Sequence, residues 1–434
     1  MKKKQWFTLF LSLLCIFSFL PSDLQAEITK PTIVAPAAIL IDAKTKTILY
    51  EKNAHEIHYP ASITKLMTAL LAIENLEPDQ KITFSRDAVY SIEPGSSHIG
   101  IQEDEVLTVN QALHGLLLMS ANEVANGLAE AVSGSLDAFA NRMTERAKEL
   151  GALNTHFTNA HGLHDENHYT TAYDMALIAS YLCENKYFLD IMQDFHYEIP
   201  PTNITNEIRY LYQQHPMLNP NRDCSIHRKD VIGGKTGYTD QAKHTLVTMA
   251  QQGDTTLVAV VLQSDKSTLY SDTSALFDYG FASYQTIDLH TSDDILKTLP
   301  AYLVKSGHSY HSSNYGLGIA EDVSIIALNT VTADDVIPVF DLPDYLPDSY
   351  QVGDIVGTVS FTLNGQTLRQ SDLVIKQIDS VPTQTLPFTS SQNLKWIKLG
   401  LIILVSIIII FSLTFFIRKR HSRKKYIKIN KYFK

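Results

Sequence analysis

Cysteine is scarce in this chain, and its few positions do not suggest a reactive thiol. Of the three cysteines, Cys15 lies in an N-terminal apolar segment, so Cys183 and Cys224 are the two that remain after it. Cys183 falls in an apolar helical pattern typical of a small core residue. Neither position suggests a catalytic thiol, and a disulfide between the two stays open as an alternative.

Positive charge is also scarce outside the two ends of the chain. Residues 27–417 contain 24 Lys and Arg beside 45 Asp and Glu, a net charge of −21. Because such a surface repels phosphates, nucleic acid is not expected as a partner. A substrate that ends in a carboxylate would need a local concentration of positive charge in its binding cleft.

The N-terminal residues have the pattern of a secretory signal. Three lysines at 2–4 precede an apolar run from 6 to 20, and Leu24-Gln25-Ala26 supplies a small residue at a cleavage point. We therefore expect residues 1–26 to be a signal peptide. Leucine matches the position three residues before the cut only moderately, so an uncleaved anchor is the alternative.

The segment 399–417 contains no charged residue and is long enough to cross a bilayer as a helix. The tail at 418–434 holds nine Lys and Arg and no acidic residue, and positive flanks stay in the cytoplasm. We expect a single transmembrane helix at 399–417, a cytoplasmic tail, and an extracellular position for the residues between the two apolar segments. A buried core helix, the alternative, would leave the basic tail unexplained.

Apolar spacing between the two ends predicts an α/β fold in which a helical lobe lies over an antiparallel sheet. A hairpin pattern with its turn at 44–46 comes first, and helical patterns follow from Ser62 and at 109–132, 136–150 and 171–185. Strand patterns at 245–250 and 256–262 come next, and a helix is predicted at 272–281. Short strand patterns at 323–328 and 358–363 then predict a small all-β domain. The predicted boundaries are 30–285 for the first domain, 286–380 for the β domain and 381–395 for a flexible stalk.

Three short motifs occur in a fixed order: Ser62-Ile63-Thr64-Lys65, Ser120-Ala121-Asn122 and Lys235-Thr236-Gly237. Each alone is weak, since a helix cap, a helix-terminus serine and a plain β-turn explain them equally well. The ordered set indicates a serine nucleophile whose base is lysine rather than histidine, which is the chemistry of acyl transfer.

The first motif supplies the reactive pair. Ser62 opens a predicted helix and Lys65 projects from the same face one turn later. Lysine acts as a base only when its ammonium form is destabilised, which burial and a second cation such as Lys235 both achieve. We expect Ser62, Lys65 and Ser120 to be catalytic, with Ser120 passing a proton to the leaving nitrogen.

The remaining motif residues suit substrate binding. Asn122 offers a donor and an acceptor to a substrate amide, and Thr236 offers a hydroxyl to a substrate carboxylate beside Lys235. Glycine at 237, on a strand beside the cleft, lets a substrate backbone lie close enough to pair as an added strand.

The ordered motifs and their surroundings resemble the low-molecular-mass penicillin-binding proteins of the D-alanyl-D-alanine carboxypeptidase family, peptidase family S11. The resemblance extends over roughly residues 30–285. Outside the motifs it rests on Tyr59-Pro60-Ala61 before Ser62, His161-Gly162-Leu163, His168-Tyr169-Thr170-Thr171-Ala172 and Leu276-Phe277-Asp278-Tyr279-Gly280-Phe281.

The resemblance implies the penicillin-binding transpeptidase fold and a covalent mechanism without a cofactor. Ser62 would attack the carbonyl of the penultimate D-alanine in a peptidoglycan stem peptide, D-alanine would leave, and water would free the acyl-enzyme. The backbone N–H groups of Ser62 and Tyr238 would form the oxyanion hole. β-Lactams would acylate the same serine.

Two departures from the family pattern are visible. Family members often carry an arginine shortly before the Asp-Tyr-Gly-Phe helix that helps to hold the substrate carboxylate, whereas Lys266 is the only cation in this stretch here. Many relatives attach to the membrane by an amphipathic helix, whereas residues 399–417 have no polar face.

Three alternatives compete with this interpretation. His161, His164 and His168 recur closely enough to suggest a metal site, although a structural role in the loop is favoured and no metal is expected. A β-lactamase shares the motifs, and Glu166 would be its water-activating base. A non-catalytic wall-binding protein on the same scaffold is the third.

Overall fold

The computed structural model describes residues 29–306, 308–381 and 398–415. The predicted signal peptide and basic tail lie outside these residues, as does nearly all of the predicted stalk. Internal contacts divide the chain into two units. The first contains the described residues up to His290 with Val323–Ile337 and Thr362–Arg369, and the second contains Thr291–Asp322, Pro338–Phe361 and the described residues from Gln370 onward.

The helices of the first unit follow the predicted order. They are α1 (Lys65–Asn75), α2 (Arg86–Tyr90), α3 (Val109–Leu118), α4 (Asn122–Ser133), α5 (Leu136–Glu149), α6 (Ala172–Leu182), α7 (Lys186–Gln193) and α8 (Leu269–Ser283). The predicted helical region 109–132 was wrong in one respect, because it is two helices with Ser120 between them. Ser120 has a φ of 60°, which interrupts the right-handed helix.

The strands of the first unit are β1 (Ala37–Asp42), β2 (Ile48–Lys52), β3 (Lys81–Thr83), β4 (Val106–Thr108), β5 (His196–Ile199), β6 (Arg209–Tyr212), β7 (Val231–Thr239), β8 (Lys243–Gln252), β9 (Thr255–Ser264) and β10 (Tyr284–His290). Five of them form an antiparallel sheet in the order β2-β1-β9-β8-β7. The predicted hairpin, the two adjacent strands after the third motif and the closing helix are confirmed. β7, which carries the third motif, is an edge strand.

Both faces of the central strands are covered. All six residues of β1 are buried, and β9 contacts both α6 and α8. A strand buried on both faces reads as a continuous apolar run rather than as an alternation, as Leu257–Leu262 does here. This packing holds the sheet and the helices as one core.

The remaining strands are β11 (Lys297–Lys305), β12 (His308–Ile319), β13 (Val323–Leu328), β14 (Ile337–Asp341), β15 (Leu346–Pro347), β16 (Ile355–Leu363) and β17 (Gln366–Ser380). β13 pairs with β10 in the first unit. The others form a sheet in the order β14-β16-β17-β12-β11-β15, so a C-terminal β domain is present as expected. The boundaries 286–380 of this domain remain a prediction. Residues 323–337 lie within them, but internal contacts assign these residues to the first unit.

The turn before β17 is tight, and the two cysteines are unpaired. Asn364 and Gly365 have φ values of 51° and 82°, which is the pattern of a two-residue hairpin turn. Cys183 and Cys224 are both free thiols, so the disulfide alternative is wrong.

The helix α9 (Lys398–Phe415) has a mean hydropathy of 2.5 over 18 residues, and none of it is buried against the described protein. By length and composition it is able to cross a membrane. It covers most of the predicted span at 399–417.

Candidate active site

Ser62 lies on a short 3-10 helix, Ala61–Thr64, directly before α1. The chain enters this turn with Ala61 at a φ of 51°, a conformation that needs support from its neighbours. Thr245 on β8 supplies part of it, because its hydroxyl donates to the carbonyl of Pro60 at 2.8 Å. Gly162 also packs here, since a Cβ at this position would lie 1.9 Å from the Ala61 oxygen.

Lys65 is fully buried and its amine contacts three oxygen atoms. Nζ lies 2.7 Å from Asn122 Oδ1, 2.7 Å from the carbonyl oxygen of His161 and 3.0 Å from Ser62 Oγ. The first two oxygens accept hydrogen bonds and have no hydrogen to donate. A neutral amine has two N–H groups and one lone pair, so both N–H groups are used and the lone pair is left for the hydroxyl of Ser62.

The surroundings favour this neutral form. Burial, followed by the charge of Lys235, holds the pKa of Lys65 well below its ordinary value, although Glu123 opposes the shift. Burial alone lowers the pKa of Lys235 to about 7. Both buried lysines therefore have a lowered pKa, and Lys65 is the one placed to accept a proton from Ser62.

The second motif occupies the turn between α3 and α4. The Ser120 hydroxyl oxygen is buried and has no hydrogen-bond partner within the described part of the chain. Asn122 begins α4, and its backbone N–H donates to the carbonyl of Ser97 at 2.8 Å. The turn therefore presents an unpaired hydroxyl next to an asparagine whose side chain already binds Lys65.

The third motif lies on the edge strand β7. Lys235 is 4% exposed and donates to the carbonyl of Thr236 at 2.7 Å. A Cβ on Gly237 would lie 2.8 Å from the backbone nitrogen of Ser62, so glycine keeps the space beside that N–H group open. Tyr238 is 53% exposed, and its hydroxyl donates to Asp240 at 2.9 Å.

The structure thus joins Ser62, Lys65 and Asn122 directly and places Gly237 against Ser62. The three histidines have other contacts. His161 contributes its backbone carbonyl to Lys65, while His168 receives the Thr158 N–H at Nδ1 and therefore donates from Nε2 to Thr64 Oγ1 at 2.8 Å. Burial lowers the pKa of His168 to about 3, which keeps the ring neutral. It anchors the turn that carries Ser62.

An ion pair that supports the site was not predicted from the sequence. Arg209 on β6 binds the carboxylate of Glu105 through two nitrogens at 2.6 and 2.9 Å, and it also donates to the carbonyls of Ile99 and Gly100. Burial raises the pKa of the fully buried Glu105, but the hydrogen bonds from Arg209 and its neighbours outweigh this effect and lower it overall. The pair fixes the segment that accepts the Asn122 N–H.

We expect Arg209→Met to destabilise the protein by about 3 kcal/mol, because it leaves a buried carboxylate without its cation. Thermal or urea unfolding of the full chain measures this cost. In the double variant Arg209→Met/Glu105→Gln much of the loss should be recovered, since no buried charge is left unpaired. Equal losses in both variants would show that the charge of Glu105 is not the cause.

Comparison with known proteins identifies the family. The family model of the D-alanyl-D-alanine carboxypeptidases, peptidase S11, matches residues 25–266, and that of the penicillin-binding protein 5 C-terminal domain matches residues 284–379. D-alanyl-D-alanine carboxypeptidase DacF of Bacillus subtilis is 31% identical over 79% of this chain and 85% of its own length. DacC of Escherichia coli is 29% identical over 83% of this chain and 89% of its own.

Solved structures show the same fold. The crystal structure of penicillin-binding protein 5 from Haemophilus influenzae matches with a TM-score of 0.68 and 24% identity over 81% of this chain and 99% of that one. The Streptomyces K15 DD-transpeptidase matches with a TM-score of 0.54 and 31% identity over 58% of this chain and 99% of that one. With more than half of its residues matched by the family model, the chain belongs to the D-alanyl-D-alanine carboxypeptidase family of serine peptidases, S11.

Proposed function

We propose that this protein removes the terminal D-alanine from peptidoglycan stem pentapeptides through an acyl-enzyme on Ser62, as a penicillin-sensitive enzyme of cell-wall maturation. One observation carries the proposal. The amine of Lys65 is fully buried, gives both of its N–H groups to carbonyl oxygens and lies 3.0 Å from Ser62 Oγ. This is the arrangement of a general base beside a nucleophile.

Acylation follows from these contacts. Lys65 takes the hydroxyl proton as Ser62 Oγ attacks the carbonyl carbon of the penultimate D-alanine. The backbone N–H groups of Ser62 and Tyr238 stabilise the oxyanion in the space that Gly237 leaves open. Ser120 gives its hydroxyl proton to the leaving nitrogen and takes the proton held by Lys65, so that the C–N bond breaks and Lys65 is neutral again.

Binding and deacylation use the rest of the motifs. Lys235 and Thr236 hold the terminal carboxylate of the substrate, and Asn122 holds the amide that precedes the cleaved bond. Water then attacks the ester on Ser62. Lys65 accepts a proton from the water and returns it to Ser62 Oγ as the ester C–O bond breaks. The mechanism needs no metal or cofactor. The signal peptide at 1–26 and the helix at 399–417 would place this domain outside the cell membrane.

A fluorescent penicillin and a stem pentapeptide test the proposal together. Purified full-length protein in detergent is incubated with the penicillin, and the label on the protein is followed by gel over time while D-alanine release from the pentapeptide is measured separately. A long-lived adduct with D-alanine release supports the carboxypeptidase. Rapid loss of label without D-alanine release would favour a β-lactamase, and no label at all would favour a wall-binding protein.

The pH dependence of the reaction should depend on Lys235. The pKa of Lys235 is about 7, so raising the pH through that value neutralises its amine. The site then loses the cation that binds the substrate carboxylate. It also loses the charge that holds down the pKa of Lys65. We expect kcat/KM for D-alanine release to fall about tenfold per pH unit above this midpoint. Lys235→Arg, which stays charged, should move the fall to higher pH.

The matched control is Lys229→Arg, an exposed lysine on the same unit, which should leave the profile unchanged. An unaltered alkaline limb in Lys235→Arg would rule out Lys235 as the titrating group.

A further inference from the structure

The proposed mechanism sets the direction in which a substrate crosses the site, and the inference below rests on that proposal. A peptide that adds to the edge strand β7 in antiparallel orientation runs against the chain direction of β7. Its carboxylate lies at Thr236 and its cleaved carbonyl at Tyr238. The residues before the cleaved bond therefore extend past Thr239, the last residue of β7, toward the turn that follows it.

A cavity of about 250 Å³ lies beside that turn. Gln241 lines it from the turn itself, and Tyr59 lines it three residues before Ser62. Glu166 and Tyr169 lie on its other side, in the loop that follows His161. The cavity is thus bounded by the end of the proposed substrate strand and by the segment that leads into the nucleophile.

The polar groups of the cavity suit a cation. Its lining contains one carboxylate, that of Glu166, and no Lys or Arg. Burial lowers the pKa of its histidine, His58, which favours the neutral ring. Glu166 is exposed, and within residues 29–306 and 308–381 no hydrogen bond or ion pair engages its carboxylate. Tyr169 and Gln241 add a hydroxyl and an amide, whose oxygens accept from an ammonium group.

A bulge in strand β9 brings the side-chain amide of Gln263 to the same cavity as a further hydrogen-bond acceptor. Gln263, which also lines the cavity, has a φ of 56° and lies at the position where the β8–β9 register shifts. Such bulges redirect a side chain out of the regular alternation of a strand.

We infer that this cavity is a binding subsite for the amino group on the side chain of the third stem-peptide residue, with Glu166 as its counter-charge. That residue is the second before the released D-alanine, so on the added strand it stands just beyond Tyr238. A side chain of four or five carbon atoms ending in an ammonium group reaches sideways from there into the cavity.

The test compares Nα-acetyl-L-Lys-D-Ala-D-Ala with Nα,Nε-diacetyl-L-Lys-D-Ala-D-Ala, in which a second acetyl group removes the charge of the lysine side chain. Release of D-alanine by the full-length protein gives kcat/KM for each. We expect the free amine to be preferred about fivefold, the size of a partly exposed ion pair. The preference should vanish in Glu166→Gln. It should persist in Glu77→Gln, which removes another exposed carboxylate that does not line the cavity.

Both peptides are also tested as competitors of fluorescent penicillin labelling, which reports binding even without turnover. D-alanine release at equal kcat/KM from both peptides, or a preference that survives in Glu166→Gln, overturns the subsite and leaves the proposed function intact. If neither peptide releases D-alanine, the proposed function fails. In that case unequal competition that depends on Glu166 still supports the subsite, and equal competition or none overturns it.

Discussion

Replacing Ser62 by alanine is expected to abolish covalent labelling by penicillin and to reduce D-alanine release by about 10⁴-fold or more, as removal of a serine nucleophile does in other acyl-transfer enzymes. The acyl-enzyme cannot form without Oγ, and none of the residues that contact Lys65 supplies another nucleophile. Intact-mass spectrometry after incubation with penicillin measures the adduct directly.

The folded state should survive this change. Ser62 Oγ makes its hydrogen bond with Lys65, whose N–H groups retain Asn122 and His161, so we expect a change of about 1 kcal/mol or less in unfolding free energy. Ser283→Ala is the matched control, since it removes another serine of the same unit from the end of α8. It should label normally. A penicillin adduct on Ser62→Ala would assign the nucleophile elsewhere.

Replacing Lys65 by methionine is expected to slow acylation of Ser62 by about 10²–10⁴-fold, the range contributed by a positioned general base. Methionine fills similar space but cannot accept the hydroxyl proton. The second-order rate constant of penicillin labelling, measured by stopping the reaction at short times, gives the effect without depending on deacylation.

Some loss of stability accompanies this change, because Asn122 Oδ1 and the His161 carbonyl lose their donor. Labelling is therefore compared at a temperature where unfolding measurements show the variant to be folded. Lys52→Met serves as the control, since Lys52 also donates to a backbone carbonyl, that of Ile33, but belongs to β2. A Lys65→Met protein that labels within tenfold of the unmodified chain would exclude lysine as the base.

Most of the site's chemistry could be predicted from the three motifs, but its supports could not. Ser62 and Lys65 are one helical turn apart, so their contact follows from local geometry. The contacts of Lys65 with Asn122 and with the His161 carbonyl join residues 57 and 96 positions away. Any residue type can supply a backbone carbonyl, so the sequence does not indicate this contact. The Arg209–Glu105 pair and the cavity beside Glu166 join distant segments and therefore have no local sequence pattern.

The fold was predictable where burial imposed a clear periodicity. Strands β1, β8 and β9 are largely buried and mostly apolar, and they were predicted close to their observed bounds. The hairpin of β5 and β6 was missed because its four-residue strands are largely exposed and carry little apolar alternation. The pairing of β10 with β13 was also missed, since it joins segments separated by two intervening strands.

The amino-acid sequence alone predicted the kind of reaction, because the order and spacing of the three motifs indicate a serine nucleophile, an amine base and a carboxylate-binding strand. Only the tertiary structure shows the surroundings that favour a neutral amine at Lys65. Its neutral form depends on complete burial, on the nearby charge of Lys235 and on two carbonyl acceptors, and these arise from distant segments that folding brings around one nitrogen atom.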